Sequence, residues 1–448
     1  MAKKKKKKGK GRAEAREDDG IPTMVEALKK HRKFKAMAKY SLNALVASIE
    51  PGHSGWEDNV SSLVKNGGIE AIRDIIKLHE GDEEILDLCT FALSIIPKHE
   101  TSGPSYTKLI VEAGAVKVVL NSMKQNPDLK AGIDNAMSLV ETCAERNAVA
   151  MSEPGHVEAV LDVTRVFSDN VSCVGPCHRT LEKICRTHAG KNQFVAKDGI
   201  SAVLANMTPE RMTDENTLPV MNLLDRLCRD EANIELIKNA GAVDGGIRAL
   251  LGVLDHSTNE EITNVGARVM NKIAGKYLHE FLAKLQDPSL AAHDRDHYLR
   301  IVANLAIDPR NAAQIRSSGV LPAMVASLEQ RNVSAIALPS IPITFERCAN
   351  TDADAAVVIA AGAIEGLVMG LQVYDANSTF VASGVSVISA LCTSEAHIAH
   401  INSQGGVTQV VRNVANHPEH PDVAIAVCRM IVSCADKGYN AGYFAATG

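Results

Sequence analysis

The stretch that decides the fold reads ANIELIKNAGAVDGGIRALLGVLD from Ala232 to Asp255 and, past a polar gap at His256 to Asn259, EEITNVGARVMNKIAG from Glu260 to Gly275. Three apolar series run through it. Ile234, Leu236 and Ile237 stop at Ala240-Gly241. Val243, Ile247, Leu250, Leu251 and Leu254 end at Asp255. Ile262, Val265, Val269 and Ile273 end at Gly275. Each series has helical spacing, so the stretch predicts helix, sharp turn, helix, loop, helix. A glycine at the first corner supplies positive φ and lets two backbones approach where a Cβ would obstruct them.

The same pattern recurs along the chain. A glycine leading into an apolar residue appears at Gly20-Ile21, Gly68-Ile69, Gly114-Ala115-Val116, Gly155-His156-Val157, Gly199-Ile200, Gly241-Ala242-Val243, Gly319-Val320, Gly362-Ala363-Ile364 and Gly406-Val407. The intervals are roughly 41 to 48 residues, with one of roughly 78 that Gly275 divides, Tyr277, Leu278, Phe281, Leu282 and Leu285 then forming a second helix. A period of about 42 residues with two or three helices per unit is the sequence sign of an α-solenoid. The prediction is an all-α, right-handed solenoid of about ten repeats over residues 20–437. A lysine-rich tail (1–19) precedes it and a short tail (438–448) follows.

These residues resemble the armadillo repeat family. The resemblance is carried by NGGIEAIRDIIK, EAGAVKVVL, NAGAVDGGIRALL, SSGVLPAMVASL and AAGAIEGLVMGL, and by third helices such as YLRIVANLAID (Tyr298 to Asp308). It covers roughly residues 20–434. It is specific for fold and weak for function, because one fold hosts many tasks.

Composition agrees with thin helical layers: aromatics are 4% and Trp56 is the one tryptophan. Of 48 basic residues eight lie in the first twelve positions, Lys3, Lys4, Lys5, Lys6, Lys7, Lys8, Lys10 and Arg12, leaving 40 against 53 acidic residues, a charge of about −13 on the rest. A like-charge block without apolar residues is expected to stay disordered unless something anionic orders it. It reads as a tether to an anionic polymer such as the acidic tails of tubulin or RNA phosphates, as a localisation signal, or as a solubilising tail. No apolar run approaches the ~18 residues of a membrane span. The N-terminus lacks a secretory or myristoylation pattern, and Ala-Thr-Gly is no prenylation box. The expectation is an intracellular protein with no membrane partner.

Ten cysteines invite a metal or redox reading, above all Cys173, Cys177, His178, Cys185 and His188. None of their spacings is the paired C-x2-C of a structural zinc site. Aligned on the third helices, Cys143, Cys185, Cys228, Cys392 and Cys434 fall where Ala274 and Ala306 stand elsewhere, so they read as small packing residues. No phosphate loop, H-E-x-x-H or G-x-S-x-G is present. His397 with His400, and His417 with His420, lie at helical spacing without a carboxylate singled out by the sequence. No enzyme, no metal, no cofactor and no small-molecule substrate are expected.

In armadillo proteins the third helices line a concave groove, and peptide-binding members grip the peptide backbone with asparagines there. The resemblance implies a ladder of Glu141, Lys183, Arg226, Lys272, Asn304 and Arg347, followed by Ala390, with rungs about 10 Å apart. Only Asn304 keeps the asparagine, and four rungs are cationic. The expectation is a groove that binds an acidic segment of another protein, arginine holding carboxylates bidentately. Importing members look like a tryptophan–asparagine array, which this chain lacks. The function expected is therefore a non-catalytic protein-interaction scaffold. Armadillo proteins with similarly sparse ladders include structural subunits of motile cilia, so a cytoskeletal or axonemal context is the first expectation, and a nuclear transport or signalling adaptor the alternative.

Overall fold

The structure is a computed structural model that describes residues 20–99, 105–208, 211, 213–241, 245–257 and 259–438. Every regular element among the described residues is a helix, apart from one isolated bridge between Pro51 and His53. The N-terminal tail, the C-terminal tail beyond Gly438, and residues 242–244 and 258 of the opening stretch lie outside them. The chain forms two compact units, Met1–Val265 and Gly266–Gly448.

Within the first unit the repeats follow the expected triplets. Repeat 2 holds Trp56–Lys65, Gly68–Leu78 and Glu83–Ile95; repeat 3 holds Tyr106–Glu112, Ala115–Gln125 and Ile133–Arg146. Repeat 4 has a single-turn first helix, Ala148–Met151, before His156–Val166 and Val171–Ile184. Repeat 5 is His188–Ala196, Gly199–Leu204 and Asp214–Leu227, and repeat 6 opens with Glu231–Lys238 and Gly245–His256. The initial pair, Gly20–His31 and Lys35–Ile49, packs as a second and a third helix, with no first helix among the described residues.

The second unit carries Leu278–Leu285 and Ala292–Leu305 (repeat 7); Pro309–Ser317, Val320–Glu329 and Ser340–Cys348 (repeat 8); Asp352–Ala360, Ala363–Val373 and Ser378–Ala390 (repeat 9); and Glu395–Ser403, Gly406–Asn416 and Pro421–Asp436 (repeat 10). Repeat 7 has only the 3-10 turn Gly275–Tyr277 in place of a first helix. In both units second helices pack on second helices and third on third.

Amphipathic spacing drives this stacking. In Gly68–Leu78 the side chains of Ile69, Ile72, Ile75 and Ile76 are buried while Glu70 and Lys77 face solvent. Burying each isoleucine stabilises the stack by about 1.5–3 kcal/mol. No single repeat can do this alone. Some third helices begin at polar caps that satisfy otherwise orphaned amides: Asp82 accepts from Ile85 N–H at 3.0 Å and Asn377 from Phe380 N–H at 3.0 Å.

The corners correct the sequence reading in one respect. At Gly114 the expected geometry holds: φ is 75° and its N–H closes onto Val111 O at 2.9 Å. At Gly68, Gly199 and Gly406, by contrast, the left-handed residue is the preceding one, Gly67, Asp198 and Gly405. Gly199 is instead the first residue of its helix, and a Cβ there would sit 2.5 Å from the Phe194 ring and 2.7 Å from Phe194 O. The corner thus makes two separate demands, a positive φ and then an empty space, and a glycine can answer either.

Candidate protein-binding faces on the third helices

The sequence-predicted ladder divides between the two units, Glu141, Lys183 and Arg226 in the first and Lys272, Asn304 and Arg347 in the second. In the first unit the rungs are joined by ion pairs. Lys183 Nζ lies 3.1 Å from Glu141 Oε1 and 2.5 Å from Glu145 Oε2, and Arg179 Nε donates to the same Glu141 oxygen at 2.9 Å. Arg226 Nη2 does not reach Glu141. It donates to Glu182 Oε1 at 2.8 Å, while Arg186 Nη2 holds Glu182 Oε2 at 2.9 Å.

Burial by itself would raise the Glu141 carboxyl, but the hydrogen bonds from Arg179 and Lys183 outweigh it and hold it below the usual range. The face is therefore a neutralised network, not a row of unpaired cations. Arg179, Arg186, Glu145 and Glu182 belong to it although the rung register passed over them. Their signal was present: Arg179 stands four residues before Lys183 and Glu145 four after Glu141, on the same helical stripe.

Two clefts open onto this network. One of about 460 Å³ is lined by Glu141, Glu145, Pro176, Arg179 and Lys183. The other, of about 570 Å³, is lined by Glu182, Arg186, Glu215, Pro219 and Asn222. Pro176 and Pro219 each sit inside a third helix, where a missing N–H opens the backbone ladder. Gly175 lies so close to the next third helix that a Cβ would fall 1.9 Å from Asn216 Oδ1.

In the second unit Arg347 follows the register that Arg226 uses, reaching back to the residue before the rung. Its Nη1 donates to Ala303 O at 2.6 Å, and burial lowers its pKa. Asn304 turns inward, its Nδ2 donating to Arg300 O of its own helix at 2.9 Å. Lys272 is half-buried. A cleft of about 810 Å³ runs between the third helices of repeats 8, 9 and 10. It is lined by Ser386, Ala390, Ile425, Cys428, Arg429 and Val432, with Ile425 48% and Val432 58% exposed. Sequence reasoning reached only its edge, through Ala390.

The cysteines are packing residues for the most part. Nine are buried and Cys428 is exposed. Burial pushes the Cys348 thiol up to about 12, so it stays protonated at neutral pH. Cys173, Cys177 and His178 are buried in one helix, and His178 Nδ1 is 3.1 Å from Asn216 O. Among the described residues no single helix is long and apolar enough to cross a membrane, although Asp352–Ala360 with Ala363–Val373, bent by 65°, pass by composition as a pair.

Stacked repeats with left-handed corners and third helices side by side define the armadillo class of protein. Residues 29–441 match the GAC ARM domain, and the chain belongs to this armadillo-repeat family. No curated protein resembles it closely enough to count as a relative. Among solved structures it is similar to an engineered protein at 18% identity and a TM-score of 0.44, covering 92% of this chain and 98% of that one. A second engineered protein matches at 21% identity and a TM-score of 0.42, covering 57% and 96%. A structure titled for a phosphorylation switch in the interaction between cadherin and beta-catenin matches at 10% identity and a TM-score of 0.44, covering 94% and 92%. Family membership supports a protein-interaction scaffold, in a family that is generally non-enzymatic.

Proposed function

We propose that the protein is a non-catalytic scaffold whose partners lie along the third-helix faces, an acidic segment exchanging into the ion-pair network of repeats 3 to 5. The observation that supports this most directly is the network itself, in which Arg179, Lys183, Arg186 and Arg226 gather around Glu141, Glu145 and Glu182 beside two open clefts. A carboxylate brought by a partner competes there with carboxylates already present, so affinity depends on displacing them. The test is titration of the full chain with a fluorescent poly-glutamate peptide. Lys183→Glu with Arg226→Glu should weaken binding at least tenfold. Glu141→Gln, which removes the internal competitor, should strengthen it severalfold. Equal affinity in all three proteins would remove the acidic partner from the reading.

Under the same reading the lysines Lys3 to Lys8, Lys10 and Arg12, which lie outside the described residues, tether the scaffold to an anionic polymer such as tubulin tails. The setting proposed is a cytoplasmic cytoskeletal assembly such as the ciliary axoneme. Armadillo membership, an acidic chain and a polycationic end support it.

A further inference from the structure

The loop between the second and third helices of repeat 10 reads HPEH, His417 to His420, and leads into the helix at Pro421. It gathers three side chains with metal-ligating atoms. His417 Nδ1 is 3.7 Å from Glu419 Oε1, and His420 Nε2 is 3.5 Å from the same carboxylate oxygen. All three ligand atoms lie within 4.8 Å of one another. Bonds of about 2.0–2.2 Å to a tetrahedral ion place neighbouring ligand atoms roughly 3.3–3.5 Å apart, so the two imidazole–carboxylate distances are already near those of a bound set.

A second observation fixes the chemistry of His417. Its Nε2 lies 3.0 Å from Asp375 Oδ1, in the corresponding loop of repeat 9. Asp375 is itself held by Asn413 Nδ2 at 2.9 Å and Asn416 Nδ2 at 3.3 Å. The Asp375 contact occupies Nε2 and leaves Nδ1 as the ring nitrogen that faces Glu419.

Pro418 within the cluster and Pro421 immediately after it fix φ at two positions, which limits the loop's freedom before any ion arrives.

We propose that His417 Nδ1, Glu419 and His420 Nε2 bind a zinc-class divalent cation, with Asp375 as the positioning residue. The ligand set is two imidazoles and one carboxylate, which suits zinc and its neighbours over calcium or magnesium. Three protein ligands leave a fourth position for water or a donor atom from a partner. Through Asp375 the ion ties repeat 10 to repeat 9, and binding to the folded state alone stabilises that end of the unit.

The test uses the full chain, stripped with a chelator and titrated by calorimetry with Zn2+ and by absorption with Co2+. The expected result is one ion per chain with a micromolar or tighter dissociation constant. His417→Ala, His420→Ala and Glu419→Gln should each lose at least tenfold, and Asp375→Asn about 10–100-fold. Metal-free unfolding temperatures of the variants, matched to the parent, separate lost ligation from lost folding. Undetectable binding, binding that survives the double variant His417→Ala/His420→Ala, or a sulfur-to-cobalt charge-transfer band would each overturn the site. The band would assign the ion to thiols such as Cys173 and Cys177. Unchanged affinity in Asp375→Asn would overturn the positioning role.

Discussion

Asp198 and Gly199 divide between them what Gly114 alone does for its own corner. Asp198 adopts φ 55°, a left-handed conformation that costs an L-residue roughly 1–2 kcal/mol, and Gly199 supplies the space against Phe194. Gly114 has φ 75° and open space where its Cβ would point. Gly199→Ala should therefore destabilise by about 2–3 kcal/mol through overpacking, and Gly114→Ala by about 1 kcal/mol through backbone strain alone. Denaturant midpoints of the two variants check this, and equal losses would merge the two demands into one. The difference was hidden in the sequence because glycine is written the same way for both reasons. Only the neighbouring ring of Phe194 tells them apart, and it lies in the preceding helix.

At the scale of the element, helix identity was legible throughout because apolar spacing and corner signals agree. Gly68–Leu78 and Val320–Glu329 both read directly from their isoleucine, valine and leucine positions. The short first helix Ala148–Met151 and the absent one before Leu278 were less so, since a single turn leaves no period to detect. The candidate face was legible as a stripe but not as a network. Spacing placed Lys183 and Arg226 on one face, but which carboxylate each would meet depends on the offset between neighbouring helices. That offset is set by close approaches such as Gly175 to Asn216. The cluster in repeat 10 was less visible still, because Asp375 lies one repeat away from His417.

Two helices of the first unit also carry a pH response. His156 and His178 are both buried, and desolvation lowers each to about 4. The unfolded chain takes up these protons near pH 6.5 while the folded chain refuses them, so stability is complete above about 6.5 and falls as pH drops towards 4. The loss is on the order of 2 kcal/mol per histidine at pH 5. Thermal unfolding of the unit containing them should shift downward between pH 7 and pH 5, and His156→Val should flatten part of that slope. A parallel slope in the variant would exclude His156 as its source.

At the scale of the whole molecule, a strong basic block precedes a chain that carries about −13 over its remaining length. Opposite charges of that size act on partners through separate salt-sensitive terms. The repeats supply recognition and, under the proposed function, the N-terminal block supplies attachment. The overall class was legible in full because ten similar phrases reinforce one another, whereas each binding surface is a local departure from the repeat. Glu141, Glu182, Asp375 and His420 all stand where neighbouring repeats place something else. A method that reads recurrence sees the scaffold first and the specific sites last.

The lone exposed thiol gives the cleft of repeats 8 to 10 a built-in reporter. Nine sulfurs are shielded and Cys428 lines the opening. Under native conditions one equivalent of maleimide should therefore couple to each chain, and the rest only after denaturation. An occupant seated in the cleft would slow that alkylation, so the unmutated protein can announce its own ligand in a pulse-labelling screen read by intact mass.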